Sequence, residues 1–423
     1  QNLLAVLDID TLGRNTVQTS AHKVVDGIVG ALGHSYGTLI TRIAPTCQAN
    51  GREAYYECAR CHNLFNESMN PVSAQQLVIN KVYHNFVNNK CSFCNLQRTT
   101  TTGRLFGANS NNSTGTPISG ATITISGFDD MGVAFNVTAV TSSNGTYSVA
   151  NIPYGTYSVT VTKSGYITNK ANLRVFYENQ VQDNMFLVPL GTSTAPGSIN
   201  GYVTDAQNGA YISGITIYVR EGSNTTTGNV MTTLTTGSNG YYSIADLAAG
   251  NYTLHFVDER GLADKYAENI LSVAVLNGVT LSGRNVSLSH VADKETIRVV
   301  LTWGSTPSDL DSYMSFGVNV TDNLVYCGNK NKDSVSLDVD DTSSYGPETI
   351  TITAVRDGYS YKYYIFNFSG GATDALANSG ARVTVYVGDT LMYSIPVTSG
   401  AGRYWHVFTY SAETGFVIEN YIA

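Results

Sequence analysis

From about residue 101 onward, apolar and polar residues alternate with a period of two, in short runs closed by Gly, Asn and Asp. In the first such stretch Ile123 and Ile125, then Tyr147 and Val149, then Tyr157, Val159 and Val161 fall on one strand face, with Ser and Thr on the other. Asn144-Gly145 and Asn239-Gly240 read as hairpin turns, and Gly155 and Gly250 as the next reversals. A helical period is confined to "SAHKVVDGIVGALG", where Val24, Val25, Ile28, Val29 and Leu32 form a stripe between a Ser20 cap and a Gly33 stop. The short strand pattern "NLLAVLDI" precedes it. The pattern therefore predicts a mainly β chain: tandem antiparallel β-sandwich domains behind a short N-terminal strand and helix and a small cysteine-rich module.

An internal repeat sets the domain count. "ISGATITISG" (118–127) returns as "ISGITIYVRE" (212–221), and "SNGTYSVANIPYGTYSVTV" (143–161) as "SNGYYSIADLAAGNYTLHF" (238–256). Ser-Asn-Gly-x-Tyr-Ser followed by Gly-x-Tyr-x-aliphatic resembles the carboxypeptidase regulatory-like, transthyretin-like sandwiches, over 101–190 and 197–290. That resemblance implies a scaffold or stalk module without catalysis. "TIRVVLTWGSTPSDLDSYM" and "VSLDVDDTSSYGPETITITA" resemble a recurrent extracellular β-domain with a Trp-Gly-x-x-Pro-x-Asp-Leu-Asp motif, over 294–423. The remaining divisions are 1–33, an assembly segment, and 34–98, the Cys/His module.

Charge narrows the partners. Charged residues make up 13% of the chain and the net charge is −8, so no basic stripe exists to neutralise phosphates and nucleic acid is not an expected partner. No apolar run reaches the length of a membrane span. Asn-x-Ser/Thr triplets at Asn66, Asn111, Asn112, Asn136, Asn144, Asn224, Asn251, Asn285, Asn319 and Asn367 point to a glycosylated protein, secreted or at the cell surface. Several of these sit in turns or beside alternating strands, where Asn can face solvent.

"ECARCH" admits three chemistries: a haem attachment at Cys58-Ala-Arg-Cys61-His62, a disulfide, or half of a metal site. A second Cys-x-x-Cys, Cys91 to Cys94, favours metal, because two knuckles supply four thiolates as in a zinc ribbon, whereas haem would leave the second pair unexplained. The surrounding pattern resembles a short Cys/His repeat of bacterial surface proteins, which brings His34, Cys47 and His84 into consideration. The first choice is Cys58, Cys61, Cys91 and Cys94, with Cys47 and His84 as substitutes. A Cys47/Cys58/Cys61/His84 site, two metals, and disulfide pairing in an oxidising compartment all stay open. Residues 34–96 hold too few apolar side chains for a stable core, so zinc here would be structural.

Carboxylates offer a second metal chemistry. Asp309 and Asp311 stand two apart in a strand-like run and share a face; Asp338 and Asp340 repeat that spacing. If the runs are neighbours, the four carboxylates, with Asp341 and Glu348 close in sequence, repel one another unless a hard cation such as Ca²⁺ lies among them. Turn capping is the plainer reading and a paired-carboxylate glycosidase site the sharper one. His255 is expected on an exposed strand face, and Trp303 and Trp405 in the core of the last domain.

Together these features predict a non-enzymatic extracellular structural protein, a protomer of a surface appendage or helical fibril, whose N-terminal strand pairs with a sheet edge of a neighbouring copy. The alternative is a carbohydrate-binding or adhesive accessory protein that uses Tyr359, Tyr361 and Tyr363, placed on one face by alternation, as a stacking platform.

Overall fold

The computed structural model describes residues 33–423 except 48, 81, 83, 93, 111–114 and 294. The strand and helix expected over 1–33 therefore lie, apart from Gly33, outside the described residues. The chain forms two compact units, Gln1–Asn95 and Leu96–Ala423. Among the described residues the regular structure is almost entirely β, and no helix is long and apolar enough to cross a membrane.

In the second unit, residues 98–187 form a sandwich. One sheet runs in the order Ala134–Val140, Thr122–Asp129, Gly155–Thr162, Asn169–Val175, all antiparallel. The other pairs Thr146–Pro153 with Arg98–Gly107, and two short strands, Gln180–Val181 and Met185–Leu187, run parallel to the latter. The seven apolar residues assigned to one face from the sequence are all buried between these sheets. Residues 197–288 repeat the same strand order, parallel pair included.

The repeat extends to individual hydrogen bonds. Tyr157 donates its hydroxyl to Pro153 O at 2.9 Å and Tyr252 to Ala248 O at 2.8 Å. Thr141 Oγ1 accepts from Ala121 N and donates to Ile118 O, as Thr236 does with Ile215 N and Ile212 O. The Asn-Gly turns do not close hairpins. Ala134–Val140 and Thr146–Pro153 belong to opposite sheets, so the turn at Gly145 carries the chain across the sandwich. Its φ of +76° and the approach of Leu105 O, 2.5 Å from where a Cβ would stand, explain the glycine.

The third sandwich packs a six-stranded sheet, in the order Asn331–Lys332, Val335–Val339, Glu348–Ile352, Ile297–Thr302, Arg382–Val387, Thr390–Pro396, on a five-stranded one. The latter runs Asn323–Val325, Leu310–Gly317, Ser360–Asn367, Tyr404–Ser411, Gly415–Ile422. Trp303 and Trp405 lie in the core between them.

These sandwiches do not form the simple row that tandem domains suggest; each touches the other two. Asn251 Nδ2 donates to Phe186 O and Ser223 N to Lys170 O between the first and second. Between the second and third, buried Arg298 donates to Ser289 Oγ and His290 O, beside an apolar cluster of Ala206, Ala267, Val300 and Tyr386. Phe176 stacks on Tyr393 and Asp183 pairs with Arg382 between the first and third. A cavity of about 460 Å³ lies where all three meet.

Candidate metal centres

The N-terminal unit is held by very short strands. Tyr56–Glu57, Leu64–Phe65 and Pro71–Val72 form one sheet, Gly51–Arg52 pairs with Val78–Ile79, and Phe86–Val87 pairs with Lys90–Cys91. Its buried apolar residues, among those described, are Ala54, Phe65, Leu77 and three cysteines. Such a set cannot offset the entropy of ordering the chain without crosslinks.

The two Cys-x-x-Cys turns share one backbone form. His62 N donates to Cys58 O at 2.8 Å with His62 at φ +58°, and Asn95 N donates to Cys91 O at 2.9 Å with Asn95 at φ +62°. Each turn thus points two sulfurs the same way. They do not point at each other's pair: the structure gathers Cys47, His84, Cys91 and Cys94 at one place, and His34, Cys58 and Cys61 at another. The first-choice grouping of Cys58 and Cys61 with Cys91 and Cys94 is therefore corrected. Local pairing explains the partition. The bridge Tyr36↔Cys58 brings His34 to the first knuckle, whereas the hairpin through Phe86 and Cys91 brings His84 to the second.

At the larger cluster Cys47 Sγ lies 3.7 Å from Cys91 Sγ, and His84 Nδ1 lies 3.4 Å from both Cys91 Sγ and Cys94 Sγ. A disulfide needs about 2.05 Å. Tetrahedral zinc with Zn–S near 2.3 Å and Zn–N near 2.0 Å places its ligands about 3.5–3.8 Å apart, which these spacings match. Burial, with Cys94 and Cys91 adding to it, pushes the Cys47 thiol up to about 12. At the smaller cluster Cys61 Sγ is 3.5 Å from His34 Nδ1. Burial alone would raise the Cys58 thiol, but the Arg60 and Cys61 backbone N–H groups, with His34 and Cys61, hold it down to about 6. His62 is not in this group; its Nδ1 lies 2.8 Å from Glu57 Oε1.

The carboxylates also regroup. Asp311, Asp340 and Glu348 have ligand atoms within 4.8 Å of one another. Asp338 is not with them; it accepts from Ser336 Oγ and Thr351 Oγ1 on the outer face of its sheet. The cause is a β-bulge: Leu337 pairs with Ile350 but Val339 with Thr349, so Asp338 is an extra residue and the alternation changes phase behind it. Asp340 consequently comes to the side of Glu348. Asp309 lies beside the group, and its carboxyl is raised by burial and by Asp340 and Asp341. Burial pushes Asp311 up to about 6, with Asp309 contributing, and raises Glu348 far above its ordinary value. Sequence reasoning had Glu348 only as a possible neighbour; its separation from the Asp motifs concealed the sheet-to-sheet contact.

Other expectations divide. Tyr361 and Tyr363 are fully buried in the core, so the proposed stacking platform is not one. The opposite face of that strand carries a row of rings crossing the sheet. Tyr326 and Tyr313 have centroids 5.3 Å apart, Tyr313 and Tyr364 5.1 Å, Tyr364 and His406 5.7 Å, and His406 and Tyr421 4.7 Å. His255 is buried, not exposed, with its Nε2 2.6 Å from Glu268 Oε2. Among the sequons, Asn136, Asn144, Asn224, Asn285 and Asn319 are exposed and Asn66 is half-buried. Asn251 and Asn367 are buried, and their side-chain amides donate to Phe186 O and Gly370 O, which closes both to a glycan in the folded chain. Asn111 and Asn112 lie outside the described residues.

Similar solved structures include the minor pilin GBS52 of Streptococcus agalactiae, at 15% identity and TM-score 0.20, covering 46% of this chain and 97% of that one. The shaft pilin SpaA of Lactobacillus rhamnosus GG stands at 12% and 0.17, with coverage of 47% and 99%. The TIE protein of Bacillus anthracis stands at 12% and 0.20, with coverage of 91% and 76%. Scores this low carry no inference about this chain. No curated protein matches it. The firmer likeness lies in the two repeated sandwiches, where residues 110–184 and 198–289 each match the carboxypeptidase regulatory-like domain.

Proposed function

We propose that this chain is a non-enzymatic extracellular structural protein, a protomer of a surface appendage, with an N-terminal module stapled by zinc at Cys47, His84, Cys91 and Cys94 and a second ion at His34, Cys58 and Cys61. The observation that carries this reading is the interlocking of the three sandwiches, each bonded to both others by backbone, aromatic and charged contacts. An arrangement of this kind resists bending between domains, which suits a load-bearing subunit better than a protein whose domains must move around a substrate. Open edges support assembly: Val230–Thr235 ends one sheet with Val230 and Met231 exposed, and Gly415–Ile422 ends another with Val417 and Tyr421 exposed. Residues 1–12 supply the strand that pairs with such an edge on a neighbouring copy. Asn136, Asn144, Asn285 and Asn319 are the sequons best placed to carry glycans.

Electron microscopy of the full chain at rising concentration, beside a variant lacking residues 1–12, tests this. Fibres that disappear in the shortened chain are the expected result. A full chain that stays monomeric by light scattering at high concentration would overturn it.

A further inference from the structure

The carboxylate group in the third sandwich is more than an acidic patch. Glu348 is 0% and Asp311 3% exposed. Glu348 Oε1, Asp311 Oδ2, Asp340 Oδ1 and Asp309 Oδ1 are all buried without a hydrogen-bond partner. Leaving one such oxygen unmet is costly, and the gathering of Asp311, Asp340 and Glu348, with Asp309 beside them, calls for a shared cation. The only basic group paired there, among the described residues, is Lys330, whose Nζ lies 2.8 Å from Asp340 Oδ2, with its side chain 48% exposed. One ammonium at the rim leaves the inner oxygens unmatched.

The backbone explains why the site forms. Asn323–Val325 pairs with Met314–Phe316 only, which leaves the Ser312 N–H at an open strand edge, where Glu348 Oε2 accepts it. Glu348 thus reaches from the six-stranded sheet to the five-stranded one, and the bulge at Asp338 swings Asp340 in beside it.

We propose that Asp311, Asp340 and Glu348, with Asp309 beside them, bind one hard divalent cation, Ca²⁺, which ties the two sheets of the third sandwich together. The donors are all oxygens, as Ca²⁺ prefers. Oxygens bound at 2.3–2.6 Å to one ion are at most about 5 Å apart, and these three lie within 4.8 Å. The inference depends neither on the appendage reading nor on the zinc centres.

The test uses full-length protein, desalted into calcium-free buffer and titrated calorimetrically with Ca²⁺, with Mg²⁺ in a parallel arm. Expected are saturable binding of one Ca²⁺ per chain and a melting temperature that rises with calcium. Tb³⁺ luminescence excited through Tyr313, which adjoins Asp311, should appear and be displaced by Ca²⁺. Glu348→Gln and Asp340→Asn should each weaken calcium about tenfold or more, while Asp338→Asn leaves it unchanged. If Glu348→Gln does not fold, the half-buried Asp340→Asn decides. No saturable calcium binding, binding of Mg²⁺ alone, or a wild-type calcium affinity in Asp340→Asn would each overturn the site.

Discussion

The ring of Phe176 in the first sandwich stacks on that of Tyr393 in the third, with centroids 5.2 Å apart and planes at 28°. The Arg382–Asp183 ion pair crosses the same boundary, but both side chains are about a third exposed, which limits it to 1 kcal/mol or less. Tyr393 also meets Tyr177 and Phe416. Tyr393→Ala should therefore lower stability by about 2–4 kcal/mol in urea unfolding and Arg382→Ala by under about 1 kcal/mol. Equal losses would show that charge, rather than stacking, holds the junction.

The partition of the cysteines predicts independent metal loss. Native mass spectrometry should find one zinc at each centre, with Cys94→Ser losing one ion and Cys61→Ser the other. A single shared ion that vanishes in both variants would restore the four-thiolate ribbon.

Lys330 competes with calcium for Asp340. Replacing it by Gln should strengthen Ca²⁺ binding by up to about fivefold, the worth of an exposed ion pair. Titration calorimetry reads this directly, and weakened binding would mean that Lys330 organises the site instead of opposing the ion.

Asp258 gives the second sandwich an acid limb. The Arg260 guanidinium, with the Tyr266 and Arg260 backbone N–H groups, holds its carboxyl down to about 2 against the cost of burial. A carboxylate depressed in the folded state stabilises above its ordinary value near 4, and that contribution is lost as pH falls toward 2. The stability gap between wild type and Asp258→Asn should accordingly shrink by roughly 2 kcal/mol from about pH 5 to pH 2. A gap that does not change with pH would place the effect in packing.

Thr141 and Thr236 make the same bonds in the two repeats. Each Thr→Val change strips a buried carbonyl and a buried N–H of that partner, and should cost roughly 2 kcal/mol or more, alike in both. Urea unfolding of the two variants checks the equivalence.

The strands were legible because Ile123, Ile125 and their counterparts alternate with Ser and Thr, so only one face could be the core. Where both faces are aromatic the alternation is ambiguous: Tyr361 and Tyr363 alternate with Lys362 and Tyr364, and nothing local says which side is covered. Asn144-Gly145 announced a turn but not which sheet receives the next strand. Cysteine spacing picked out the two Cys-x-x-Cys turns, but which Cys and His side chains gather at each depends on strand pairs two residues long, which leave almost no pattern. The spacing of Asp338 and Asp340 implies one shared face, because spacing counts residues and carries no sign of a bulge.

That bulge bears on inheritance. Deleting Asp338 would remove the extra residue and restore simple alternation while leaving Val339 opposite Thr349 and Asp340 beside Glu348, so the group would survive the loss. Among related chains the spacing between Leu337 and Asp340 could thus shorten by one residue without loss of the site. An alignment that demands the spacing found here would deny the site to descendants that still have it.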